Sequence, residues 1–264
     1  MAKFNVETVQ NVEQSKKIPC LKPLAEQLEI MEAYTETHRR YSSATRERRE
    51  VECLKVLYPR MFRPIEPQDL FAGRLDFLPI GFGCVTSVGG VGHYCVFRKL
   101  RQLQEKLPDG LKPRVDALYD YWLDNDVKTQ FNREMIVDDT MGMFIDTAFP
   151  LIATARLSGM MLDYPKLLEN GVPGLRSLLE SHAAADPGND FYKAGLDCLD
   201  ILCDSAMALR DDALAQMEAS DGKRRGQLKT MADALEAIPL RAPETFVEAL
   251  QLFWLYALLA GGIN

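Results

Sequence analysis

His93, Tyr94 and Cys95 leave a glycine-rich stretch together, and their types and spacing are the first in this chain to suggest chemistry. A His and a Cys two apart can ligate a metal, but no second pair at matching spacing completes a tetrahedral site, so no metal is expected. The preceding residues, GFGCVTSVGGVG at 81–92, carry neither G-x-G-x-x-G nor Gly-Lys-Ser/Thr and do not read as a nucleotide cradle. Their glycines are expected to form irregular backbone that passes close to another segment or a ligand. A Ser-His-Asp triad would have to recruit His93, because His38 and His182 read as surface helix positions and no G-x-S-x-G elbow presents a serine. Asp138 and Asp139 are adjacent and face different ways, which excludes a paired acid and base. Asp120, Asp124 and Asp126 read as a solvated helix end. Residue chemistry by itself discloses no activity and assigns no catalytic residue.

The elements that must position these residues are mostly helical. Leu24, Leu28, Met31 and Tyr34, then Val51, Leu54 and Leu57, recur at helical spacing over 22–57. Pro59, Pro64 and Pro67 predict a loop, and Leu70 to Ile80 predicts one short strand. Helices are expected over 97–107 and 113–123, the second opened by Pro113. The apolar segment 135–162 is expected to be kinked or split at Pro150, and 164–183 to be two helices separated by a Gly-Val-Pro break. Leu199, Leu202, Ala206, Leu209, Ala213 and Met217 form one buried stripe on a long helix from Asp190 to Ser220. GKRRGQ should end that helix, and a further helix over 227–237 should precede the turn IPLRAPET. The fold class is mainly α with a few short strands, without repeats or an internal domain boundary across 1–264.

Hydrophobic content of 47% and charged content of 26% are those of a soluble globular protein. The net charge of −7 argues against a nucleic-acid partner, and the basic run at 39–49 reads as a solvated helix face. The six scattered cysteines contain no C-x-x-C pair and fit reduced thiols in a cytoplasmic protein. The N-terminus carries neither a signal-peptide core nor an Arg-rich transit stripe. No segment is long enough to enter a membrane as a helix. The apolar run from Leu252 to Ile263 is twelve residues long, against about 20 for a span. It is expected to be a helix buried inside a larger body, with no following sequence to cover it.

Three segments, taken in order, resemble the N-terminal region of the glycyl radical enzymes of the pyruvate formate-lyase family. EAYTETHRR at 32–40 followed by IEPQDLFAGR at 65–74 is similar to that family's Tyr-x-Glu-Thr helix end and its Asp-x-Leu-hydrophobic-x-Gly strand. GMMLDYPKLLENGVPGLRSLLES at 159–181 resembles its Gly-His-x-x-x-Asp-Tyr stretch leading into a helix. IPLRAPETFVEALQLFWLYALL at 238–259 resembles its Val-Pro-x-x-Pro-Pro-x-Thr-Phe-x-Glu-Ala-Leu-Gln helix. The resemblance implies the N-terminal portion of a ten-stranded α/β barrel wrapped by helices. It implies that a stored glycyl radical takes hydrogen from a cysteine, whose thiyl radical then attacks a small polar substrate in a water-excluding site. It further implies a radical S-adenosylmethionine activating enzyme as partner, and the remainder of the barrel, in this polypeptide or in a second chain.

The cysteine loop and the Arg-Val-x-Gly-Tyr element lie further along in the family than this sequence reaches. Cys84, in Gly-Cys-Val, comes too early to be the thiyl cysteine and reads as structural. No cofactor is expected on these residues. Substrate would face 81–95 and 156–164, with His93, Tyr94, Arg156, Gly159 and Met160 as candidates. The family's substrate-facing His or Arg is replaced by Gly159 or Met160, depending on the anchor, and neither can bind a carboxylate. Arg156 is the alternative cation. The implied activities are those of a lyase, a dehydratase or a formate acyltransferase, with this chain inactive by itself. A helical scaffold or interaction fragment without catalysis is the rival expectation.

Overall fold

The computed structural model describes residues 22–76, 78–84, 91–127, 129–130, 133 and 162–261. In chain order the elements are α1 (Leu24–Arg40), α2 (Arg46–Met61), β1 (Ile80–Cys84), β2 (Val91–Cys95), α3 (Phe97–Lys106), α4 (Lys112–Asn125), α5 (Tyr164–Ala185), α6 (Asp190–Glu218), α7 (Gly222–Ala237) and α8 (Phe246–Gly261). β1 and β2 pair antiparallel, with Ile80 opposite Cys95 and Phe82 opposite His93. The sequence over 135–161, including the expected kink at Pro150, lies outside the described residues.

Local signals set most boundaries. α1 carries Glu26 in its first turn and Arg39 and Arg40 in its last, charges that complement the helix dipole. Thr45 caps α2 by accepting a hydrogen bond from the Arg48 amide. α2 runs on through Pro59 to Met61, further than the prolines suggested. Pro59 stands in the last turn, where the ring removes one bond and the chain turns extended at Phe62. The Gly-Val-Pro break in α5 is present: Gly171 has φ +60°, and a Cβ there would lie 2.6 Å from the Ala242 Cα. Only glycine meets both demands. GKRRGQ does not terminate α6 but forms the start of α7, after a short turn at 219–221.

Two corrections concern strands. Residues 81–84 and 91–92 are not irregular but belong to the β1–β2 hairpin. The described residues of 70–79 form no strand; among them Leu75 makes an isolated bridge, to Phe62. The reason is where the backbone of 62–76 finds its partners. Arg63 N–H donates to Arg74 O and Asp76 N–H to Met61 O, folding the segment on itself. Side chains take most of the remainder. Asp212 of α6 accepts from Ile65 N–H, and Gln216 donates to Ile65 O. Arg224 of α7 donates to the Glu66 and Asp69 carbonyls. Gln251 of α8 accepts from Ala72 N–H and donates to Ala72 O, both at 2.9 Å, and the Trp254 indole donates to Gly73 O. A segment satisfied this way has no ladder bonds left to offer a neighbouring strand.

The core has two parts. One gathers α1, α2, the hairpin, α3 and α4 around Leu28, Tyr34, Leu57 and Trp122. The other gathers α5, α6, α7 and α8 around Leu167, Leu209, Leu228 and Leu235. The stripe read on α6 is buried from Leu199 to Ala213. α8 belongs to both parts, giving Leu258 to the first and Leu252 and Leu255 to the second. The apolar helix is covered in part by preceding elements of the chain, with Leu252, Leu255, Ala257 and Leu258 buried. Among the described residues no helix is long and apolar enough to cross a membrane.

α8 starts in a capping box. Thr245 accepts from Glu248 N–H, and Glu248 accepts from the Thr245 and Glu244 amides. Both guanidinium arms of Arg241 reach the same carboxylate. These bonds, led by Arg241, hold the Glu248 carboxyl down to about 2, below its ordinary 4.5. The stability it contributes is in place above pH 4.5 and is lost as pH falls towards 2. Glu248→Gln is predicted to lower the urea midpoint at pH 7 and to flatten the acid-unfolding profile between these values. Gln251→Ala strands both backbone groups of Ala72, which is fully buried. Urea unfolding should show a loss of about 2–4 kcal/mol.

Candidate functional site

His93 sits on β2 with both ring nitrogens engaged. Its Nε2 faces the Glu50 carboxylate of α2 at 2.9 Å, and its Nδ1 lies 2.5 Å from the Tyr34 hydroxyl of α1. An ionised carboxylate can only accept, so Nε2 donates to Glu50, while Nδ1 and the Tyr34 hydroxyl share the second hydrogen bond. Tyr34 is fully buried and His93 is 5% exposed. Burial, with the Glu50 charge beside it, pushes the Tyr34 phenol well above its ordinary range, so it stays a neutral hydroxyl.

His38 completes the cluster and corrects the expectation of a surface position, for it is buried. Its ring meets that of His93 edge-on at 4.3 Å, and its Nδ1 lies 2.8 Å from the Tyr121 hydroxyl of α4. Trp122 packs against both imidazoles and donates its indole N–H to Thr35 Oγ1, which itself donates to Met31 O. Asp126 is also buried, not solvated: it accepts from the N–H of Cys95, the last residue of β2, and from Thr129 N–H. Tyr94 alternates to the other side of the strand and is half-buried, with its phenol raised by burial. Cys53 beneath the cluster is pushed up to about 12, by burial first and then by Glu50, so it is an unreactive thiol. Arg156, Gly159 and Met160 lie outside the described residues.

A second feature lies where α5 begins. A cavity of about 480 Å³ opens between α2, α5, α6 and α8, walled by leucines and bordered by Tyr58, Asp163, Lys166, Cys198 and Tyr256. Asp163 caps α5, accepting from Lys166 N–H at 3.1 Å, and the Tyr164 ring packs on Phe253 of α8 at 4.4 Å. The Asp-Tyr pair thus fixes where α5 starts and how it meets α8. Among the described residues no group of three or more His, Cys, Asp or Glu side chains could hold a metal. Cys53, Cys95, Cys198 and Cys203 are free thiols.

The family described as pyruvate formate lyase-like matches residues 3–261. The chain belongs to the pyruvate formate lyase-like family. Solved structures share the fold. A glycyl radical enzyme from Archaeoglobus fulgidus is 19% identical with a TM-score of 0.67, over 92% of this chain and 32% of that one. The B12-independent glycerol dehydratase from Clostridium butyricum is 14% identical with a TM-score of 0.69, over 98% of this chain and 35% of that one. Hydroxyproline dehydratase from Clostridioides difficile, bound to trans-4-hydroxy-L-proline, is 14% identical with a TM-score of 0.63, over 98% and 34%. The chain spans about a third of the length of these structures. The described residues of the three segments read from the sequence make packing and backbone contacts. Residues 65–74 form the side-chain-clasped loop, Asp163 and Tyr164 seat α5, and 241–259 cap and dock α8.

The cluster was legible only in part. His38 follows Tyr34 by four residues and so lies on the apolar stripe of α1, a signal that predicts burial. Nothing in the sequence joins His93 to Tyr34 or Glu50, which lie 59 and 43 residues away. Tyr34→Phe keeps the ring but leaves His93 Nδ1 without its hydroxyl partner. A stability loss of about 1–3 kcal/mol in urea unfolding is the expected outcome.

Proposed function

We propose that this chain forms the N-terminal part of a glycyl radical enzyme body, acting as a lyase, dehydratase or formate acyltransferase on a small polar substrate. The observation that supports this most is the family match across 3–261, together with the fold likeness to dehydratase structures. The chemistry would be supplied by a glycyl radical and a thiyl cysteine on the remaining barrel, in the same polypeptide or a second chain. A radical S-adenosylmethionine activating enzyme would install the glycyl radical, in the cytoplasm.

This chain's own contribution is positioning and exclusion of water. The stretch leading into Asp163, with Arg156, Gly159 and Met160, and the outer side of the hairpin at Tyr94 would form part of the substrate-facing wall. His93, with both nitrogens held by Tyr34 and Glu50, would act behind that wall as a positioning residue. With Gly159 or Met160 where relatives place His or Arg, the wall favours a substrate that is not anchored there through a carboxylate.

The nucleotide sequence following the Asn264 codon in the source genome tests this reading. A cysteine-bearing loop and a glycyl motif, in the same or an adjacent frame, are the expected finding. A genome that encodes neither would remove the enzyme reading for this polypeptide.

A further inference from the structure

The β1–β2 hairpin is attached to the helices through titratable groups rather than through aliphatic packing alone. We propose that His38 and His93 form a proton-operated latch, which holds the hairpin against α1 and α4 when neutral and releases it when His38 takes a proton. The geometry carries this. His38 comes from α1 and His93 from β2, and their rings touch at 4.3 Å, so the pair of imidazoles lies in the contact between helix and hairpin, beside the bonds from Tyr34 and Glu50 to His93 and from the Cys95 amide to Asp126. His38 and His93 are 4% and 5% exposed, so water cannot screen a charge placed on either.

The groups around the pair do not welcome a proton on His38. From α1, Tyr34 is committed to His93, while Glu36 and Arg39 are solvent-facing, with Arg39 4.8 Å from the centre of the Tyr121 ring. From α2, Arg49 repels a charge on His38, Glu50 is turned to His93, and Cys53 is a neutral thiol. From α4, Tyr121 meets Nδ1 and Trp122 presents only its ring. From β2 come His93 itself and the neutral phenol of Tyr94. Among the described residues no carboxylate is hydrogen-bonded to His38, whereas Glu50 is bonded to His93. Burial first, then His93 and Arg49, accordingly hold His38 down to about 3.

Release restores the ordinary value of 6.5. Because the closed state refuses the proton and the open state binds it, closure is fully favoured above 6.5 and weakens as pH falls below it. Between pH 7.5 and pH 5 the opening equilibrium should rise about 30-fold. The α5–α8 layer holds no buried histidine, since His182 is exposed and stacks on Tyr192. Ordinary carboxylates are still mostly ionised at pH 5. Opening in this window should therefore be confined to the hairpin.

Amide hydrogen exchange of the full chain at pH 7.5 and pH 5, corrected for intrinsic rates, tests the proposal. Amides of β1 and β2 should lose about 30-fold in protection while those of α6 keep theirs. Unchanged hairpin protection, or parallel loss in α6, would overturn the latch. His38→Phe fills the same space without a proton site and should make hairpin protection independent of pH. A hairpin that still loosens at pH 5 in that variant would also overturn it. Should His38→Phe not fold, the comparison of hairpin with α6 in the unaltered chain decides.

Discussion

The backbone of residues 62–76 must be satisfied without a sheet, and the surrounding helices are arranged around that demand. An extended segment in the middle of a helical protein exposes N–H and C=O groups that are costly to bury unpaired. Here Asp212 and Gln216 from α6, Arg224 from α7, and Gln251 and Trp254 from α8 meet them. Each of these side chains is fixed by its helix, so pairing the loop also fixes the helices relative to one another. The buried Arg63–Asp76 pair, at 2.5 Å, ties the two ends of the segment together from inside. Because α8 contributes to both parts of the core, its attachment to this loop joins the α1–α4 layer to the α5–α8 layer.

This gives the family's segments a physical meaning. Asp69 accepts from Glu66 N–H and Arg74, which shapes the turn at 66–69. Gly73, at φ +104°, lets its carbonyl meet the Trp254 indole at a point where Leu258 and Trp254 leave little room for a side chain. Gly171 gives α5 its bend against the 238–245 turn, and Glu248 closes the start of α8. These residues act on packing and backbone geometry.

Sequence periodicity made the helices legible because each buries one stripe. α6 and its row from Leu199 to Ala213 is the plainest case. The capping box and the Gly-Val-Pro break were readable for local reasons, since both operate within a few residues. Irregular backbone was not readable. Residues 70–79 carry strand-like residue types, yet side chains more than a hundred positions away decide that they form no strand. The hairpin was missed for the opposite reason: glycines suggested irregular chain, while pairing with Val91–Cys95 supplied regular bonds. His38 and Asp126 look polar and surface-bound as letters; only tertiary partners, Tyr121 and His93 for one and the Cys95 amide for the other, make their burial tolerable.

The central claim is that 62–76 is held as one unit by side chains from separate helices. A double-mutant cycle between Asp212→Ala and Gln251→Ala, read by urea unfolding, tests it most directly. The two residues grip opposite ends of the loop, through Ile65 and Ala72. If the loop is one unit, releasing either end loosens the other, and the two losses should fall short of additivity by about 1 kcal/mol or more. Losses that add to within about 0.3–0.5 kcal/mol would show the two contacts to be independent and contradict the account.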